Sequence, residues 1–89
     1  SNAPPQAPSG LKFSSTGSTA GTLTWNSYAN TKTEIEERKD AEAFKQIATV
    51  TEGVYDYHRT NLRRKSLYAW RARSMKDGLV SEYSNIAVR

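Results

Sequence analysis

"TKTEIEERKDAEAFKQIATV", Thr31 to Val50, decides the architecture of this chain, because its Glu, Lys and Ala content favours a helix while its apolar residues do not. A helix needs a continuous apolar stripe to bury. Here Ile35 is followed by eight residues without a large apolar side chain before Phe44, so a helix would have nothing to pack. A strand needs only every second residue inward. The segment therefore reads as two strands, near Thr33–Arg38 and Phe44–Val50, around a "KDAEA" turn.

Outward from this segment the same period of two continues. "LKFSS" from Leu11 alternates apolar and polar residues, "STGSTAG" makes a turn, and "TLTW" places Leu23 and Trp25 on one face. "EGVYDYH" (Glu52 to His58) sets Tyr55 and Tyr57 on one face. "SLYAWRARSM" sets Tyr68, Trp70 and Ala72 against Ala69, Arg71 and Arg73. "KDG" (Lys76 to Gly78) is a turn signal, and "SEYSNIAVR" (Ser81 to Arg89) supplies the last strand. Seven short strands with turn residues every 8–12 positions predict an all-β chain, a β-sandwich of antiparallel sheets. There is no internal repeat.

At 89 residues the chain is a single small domain, and a domain of this size buries only roughly 60–65% of its unfolded surface. Two tryptophans, five tyrosines and two phenylalanines are the side chains large enough to build such a core. With no cysteine, neither a disulfide framework nor a thiolate metal site is available. No apolar run reaches the 18 or more residues of a membrane span. Ser1-Asn2-Ala3 reads as a scar of tag removal, and residues 4–10, which carry all three prolines, as an extended linker. The folded domain is expected over residues 11–89.

From about Pro8 to Val88 the pattern resembles a fibronectin type III domain, in the version common in secreted bacterial proteins. The resemblance is carried by Leu23-Thr24-Trp25, Ile35-Glu36, "FKQIATV", Tyr57 five residues before Leu62, Leu62 six before Tyr68, "YAWRARS" and "SEYSN". It implies an immunoglobulin-like sandwich of seven strands, with the first, second and fifth in one sheet and the third, fourth, sixth and seventh in the other. It further implies a tyrosine corner at Tyr68, and a core of Leu23, Trp25, Ile35, Tyr57, Leu62, Tyr68, Trp70 and Ala72 in which Trp25 packs against Tyr57, Tyr68 and Trp70. Three departures stand out. Arg59 occupies a position where the bacterial version usually has Asp, Glu37 one where Arg is common, and "RRKS" replaces a Pro/Gly-containing loop.

Candidate functional residues are few. With Tyr68, Trp70 and Ala72 inward, Arg71 and Arg73 point outward beside Glu34 and Glu36 of the third strand, an exposed charge ladder. Arg59, Arg63, Arg64 and Lys65 cluster at one loop, either as a solvated tip or as a site for an acidic polysaccharide, an anionic envelope polymer or a neighbouring domain. Tyr83, like Tyr28, is a candidate to stack on a sugar ring or to cover the core rim. Nucleic acid is disfavoured, since single-strand recognition joins a cationic field to exposed rings, and the rings here are expected in the core. The single histidine, His58, has no ligand-spaced partners, and adjacent glutamates on a strand form no glycosidase cleft. No serine has a base beside it. The expectation is a monomeric, cofactor-free, non-catalytic spacer. By resemblance it belongs to a secreted or surface bacterial protein, with a polysaccharide-degrading system as host and neighbouring domains as partners. The alternative is a module that binds polysaccharide or protein through its loops or outer sheet face.

Overall fold

The computed structural model describes residues 3–89, so Ser1 and Asn2 of the expected tag scar lie outside the described residues. No helix forms between Thr31 and Val50. β3 (Lys32–Lys39) and β4 (Lys45–Val50) are joined by a turn in which Asp40 takes a left-handed φ of 54°. The strands β1 (Ser9–Gly17), β2 (Ala20–Asn26) and β5 (Asp56–Arg59) form one antiparallel sheet in the order β1-β2-β5. The second sheet runs β4-β3-β6-β7, with β6 at Tyr68–Lys76 and β7 at Leu79–Val80; β8 (Ala87–Val88) also pairs with β6. This is the expected division of strands.

Two elements differ in extent from the sequence reading. The fifth strand was expected over residues 52–58 but pairs only at Asp56–Arg59, and Tyr55 lies before it, exposed. Its carbonyl still accepts the Trp25 N–H at 3.2 Å. The last strand, expected over residues 81–89, pairs only at β8, Ala87–Val88, while the short β7, Leu79–Val80, forms just ahead of it. Between them the "SEYSN" serines act in place of the ladder. The N–H groups of Ser81 and Ser84 donate to the carbonyls of Ser74 and Ala72. The Ser81 and Ser84 hydroxyls accept the Ser74 and Ala72 N–H groups, at 2.8 and 3.0 Å. Asn85 then reaches across to the other sheet: its Oδ1 accepts the Leu11 N–H at 3.0 Å and its Nδ2 donates to the Leu11 carbonyl at 2.8 Å. An amide side chain can do this because it carries the donor and acceptor of a peptide group.

The β6–β7 connection has two residues, Asp77 at φ 53° and Gly78 at φ 77°, the pair of positive φ values that lets a tight turn follow the twist of its strands. Between the sheets lie Leu11, Leu23, Trp25, Ile35, Val50, Leu62, Tyr68, Trp70, Ala72 and Ala87. Trp70 is fully buried and stacks on Phe13, with centroids 4.5 Å apart, and on Tyr68 at 5.8 Å. The Trp25 ring is buried too, and its Nε1 has no protein partner. The Phe13 ring lies over Gly21, diagonal to it on β2, and requires glycine there, since a Cβ would come within 2.1 Å of the ring. Tyr57 is only half-buried and packs against the core rather than within it, because β5 is an edge strand and one side of the ring meets solvent.

Candidate functional site

Charged and aromatic side chains gather in three places: between the sheets, on the outer face of the larger sheet, and at the turn before β6. Between the sheets, β5 of one sheet supplies Arg59 and β3 of the other supplies Glu37. The guanidinium grips the carboxylate with two bonds, Nε to Oε1 at 2.7 Å and Nη2 to Oε2 at 2.8 Å. Trp70 Nε1 donates to the same Oε1 at 2.9 Å. The Glu37 side chain is 5% exposed and that of Arg59 25%. Burial pushes the Glu37 carboxyl upward, but the hydrogen bonds from Arg59 and Trp70, with the nearby charges of Arg59 and Lys45, outweigh it and hold it below the ordinary glutamate value. The hydrogen bond to Glu37 raises Arg59 in turn. The two departures at Arg59 and Glu37 are thus partners in one ion pair. Arg59 is tied into the fold and does not share the solvent-facing side of the Arg63-Arg64-Lys65 loop.

On the outer face, the β3–β6 register sets Glu34 opposite Arg73 and Glu36 opposite Arg71. The pairs close at 2.8 and 2.7 Å, and Arg73 is raised by its hydrogen bond to Glu34. Two rings extend this ladder. Arg71 lies over Tyr83 at 3.8 Å and over Phe44 at 4.3 Å, Arg73 over Tyr83 at 5.2 Å, and Arg38 over Phe44 at 4.9 Å. Such contacts contribute about 0.5–1 kcal/mol each at exposed sites. The Tyr83 hydroxyl donates to Glu36 at 2.9 Å, so the ring is held flat against the guanidinium of Arg71. Phe44 reaches this face because the β3–β4 register shifts after Ile35, from Ile35 opposite Ala48 to Glu36 opposite Gln46. That bulge reverses the strand's parity. The expectation that the rings sit in the core therefore holds for Trp25, Tyr68 and Trp70 but not for Phe44 and Tyr83, while Tyr28 and Tyr55 are exposed.

The turn before β6 carries Arg63, Arg64 and Lys65, all exposed. The Tyr68 hydroxyl accepts the Arg63 N–H at 2.9 Å, which is the geometry of a tyrosine corner. Arg89, which sequence reasoning passed over, organises the rest. Its guanidinium donates to the carbonyls of Arg63, Arg64 and Ser66, and to Ser18 at 3.1 Å, while lying 5.0 Å over the Tyr68 ring. No spacing rule links residue 89 to residue 63. The loop basics, Arg59 and Tyr83 are thus three separate sites.

Among the described residues no three His, Cys, Asp or Glu side chains converge as a metal site would need, and no helix is long and apolar enough to cross a membrane. His58 bonds Thr22 through Nδ1 at 3.1 Å on the open face of the smaller sheet. The arrangement is that of an immunoglobulin-like sandwich in which Arg59, Arg71 and Arg73 are each bound by a glutamate of β3.

Comparison with known proteins agrees at the level of the fold. No family model matches the chain, and no curated protein matches it. Solved structures do. A fibronectin type III-like protein from Clostridium thermocellum superposes with a TM-score of 0.79 at 22% identity, over 97% of this chain and 92% of that one. The fibronectin type III domain of human fibronectin type III domain containing protein 3 gives 0.80 at 18%, over 100% and 87%. A structure of titin kinase and its flanking domains gives 0.80 at 24%, over 94% of this chain but 16% of that one. The fold is the fibronectin type III sandwich, and in the last case it makes up one part of a longer chain.

Proposed function

We propose that this chain is a non-catalytic spacer. It is a small rigid sandwich that holds neighbouring domains of a secreted or surface bacterial protein at a set separation, with a polysaccharide-degrading system as its host. The observation that carries this reading is the internal use of its chemistry: Arg59 is bound by Glu37, Arg71 by Glu36, Arg73 by Glu34, and Tyr83 by Glu36 and Arg71. A guanidinium with its bidentate partner already in place gains little from a second anion, and a ring with a cation on its face has less of that face to offer a sugar. The lead-in segment supports the same role. Pro8 is buried and Pro5 and Ala7 are half-buried, so part of the proline-rich stretch lies against the sandwich, and the direction in which residues 3–7 leave it is set.

The test is retention of the isolated domain on insoluble cellulose, chitin and xylan, with calorimetry against soluble xylan and pectin. The spacer reading expects no retention above a bovine albumin control and no heat of binding up to millimolar sugar. Micromolar binding that disappears in Tyr83→Ala would replace it with the binding-module alternative.

A further inference from the structure

The end of the sandwich that carries the turn before β6 has a feature the spacer reading does not use. Leu67 is 72% exposed and Val88 68%. Both line a notch of about 290 Å³ on the outer face, beside Arg38, Asp40 and Arg89. Its floor is Ala69, which shares the outward parity of Arg71 and Arg73 yet is only 5% exposed. The small side chain leaves a depression where a larger one would fill it.

Leu67 is not exposed through looseness. Its N–H donates to Asp40 Oδ1 at 2.9 Å and its carbonyl accepts the Asp40 N–H at 2.7 Å. This two-bond clasp holds the residue at the surface, and Asp40 forms it from a left-handed conformation, with φ 54°, that costs a non-glycine residue free energy. Scattered exposed aliphatics are ordinary, but two that wall a notch and are fixed in place mark an interaction surface.

The surroundings state the charge of the partner. Arg38 stacks on Phe44 but has no ion pair, and Arg63, Arg64 and Lys65 have none either among the described residues. Arg89, which lines the notch, draws the carbonyls of Arg63, Arg64 and Ser66 onto its own guanidinium, so the cationic turn is fixed next to the depression. Asp40 is the one acidic side chain in the lining, and its Oδ1 is engaged with Leu67. An apolar notch with a fixed cationic border is complementary to an aliphatic side chain with carboxylates on either side. It is a poor match to a neutral polysaccharide, which would have no use for either feature.

The geometry points to this notch as the docking site for an extended, acidic segment of a partner polypeptide that inserts one branched aliphatic side chain between Leu67 and Val88. This does not depend on the spacer reading, whose test concerns polysaccharides. The experiment is panning of a random dodecapeptide phage library on the immobilised domain. A synthetic peptide of the selected consensus is then titrated against 15N-labelled domain. The expected consensus has Leu, Ile or Val with at least two Asp or Glu within three residues. Its amide shifts should centre on Arg38, Leu67, Ala69 and Val88, and its affinity should fall at least tenfold in both L67S/V88T and R63E/R64E. Both variants change exposed side chains, and an unchanged urea midpoint checks their folding. A selected pool with no common pattern, shifts centred elsewhere, or equal binding to L67S/V88T would overturn the assignment. So would poly-glutamate binding as tightly as the consensus peptide, since charge alone would then suffice.

Discussion

Replacing Arg59 by Met keeps much of the aliphatic stem but removes the only cation bonded to Glu37. The carboxylate, 5% exposed, would retain one hydrogen bond, from Trp70 Nε1. Removing one partner of a buried ion pair costs about 3–5 kcal/mol. Because the Arg59 side chain is 25% exposed and Trp70 still donates, the cost is reduced from that range to about 2–4 kcal/mol. For a domain of this size the urea dependence is about 1 kcal/mol per molar, so the midpoint should fall by about 2–4 M at pH 7.

The effect of pH separates this reasoning from loss of packing. In the native protein Glu37 is held below its ordinary value, so its contribution is present above the unfolded glutamate pKa of about 4.3 and is lost as pH falls through the lower folded value. Without Arg59, burial, the largest single influence on Glu37, is opposed only by the Trp70 hydrogen bond and the charge of Lys45, and the folded value is expected to move above the unfolded one. Protonation then favours the folded state. The gap between the two proteins in urea midpoint should therefore narrow as pH falls from 6 to 3. The exchanged pair Glu37→Arg with Arg59→Glu should recover only part of the loss. It leaves Trp70 Nε1 facing another donor, and an unsatisfied buried N–H costs about 1–3 kcal/mol. A midpoint for Arg59→Met within about 0.3 M of the native protein, or a gap that does not change with pH, would refute the account of the clamp.

Tyr68→Phe removes the acceptor of the Arg63 N–H and should lower stability by about 1–2 kcal/mol, read as a urea midpoint shift of about 1 M or more. On the outer face, Glu34→Ala breaks a pair whose arginine side chain is 28% exposed. It should cost well under ~1 kcal/mol, and less still in 1 M salt by thermal melting, where screening shortens the reach of the charge.

The parts of the fold that could be read from the chain are those in which one residue suffices to declare a face. In Tyr68-Ala-Trp70-Arg71-Ala72-Arg73 the large rings and the arginines alternate without interruption, so the inward face and the outward ladder to Glu34 and Glu36 follow from parity alone. Where the backbone breaks that period, parity misleads. The register shift after Ile35 turns Phe44 outward, and nothing in "AFKQI" announces the extra residue. The last strand reads as one element because its composition suits a strand, yet serine hydroxyls replace much of its ladder. The clamp was present in the chain only as two unusual charges, Glu37 and Arg59, which are 22 positions apart. A pair becomes visible only once the sheets are stacked. The notch at Leu67 was hidden for the opposite reason, since an exposed leucine looks the same in sequence as a buried one.

The bonds between Asn85 and Leu11 join residues 74 positions apart, and they link the last few residues of the chain to the first strand. A chain made from its N-terminus can pair β1 with β2 as soon as both have been synthesised, but the two sheets cannot be stitched together there until residue 85 has left the ribosome. Until then the sheets can meet only through their core side chains and the Arg59–Glu37 pair, and long-range β contacts of this kind form slowly in any case. A stop or cleavage just before Asn85 would therefore remove the Leu11 stitch and the β8 pairing together, and leave the sheets joined by their side chains alone.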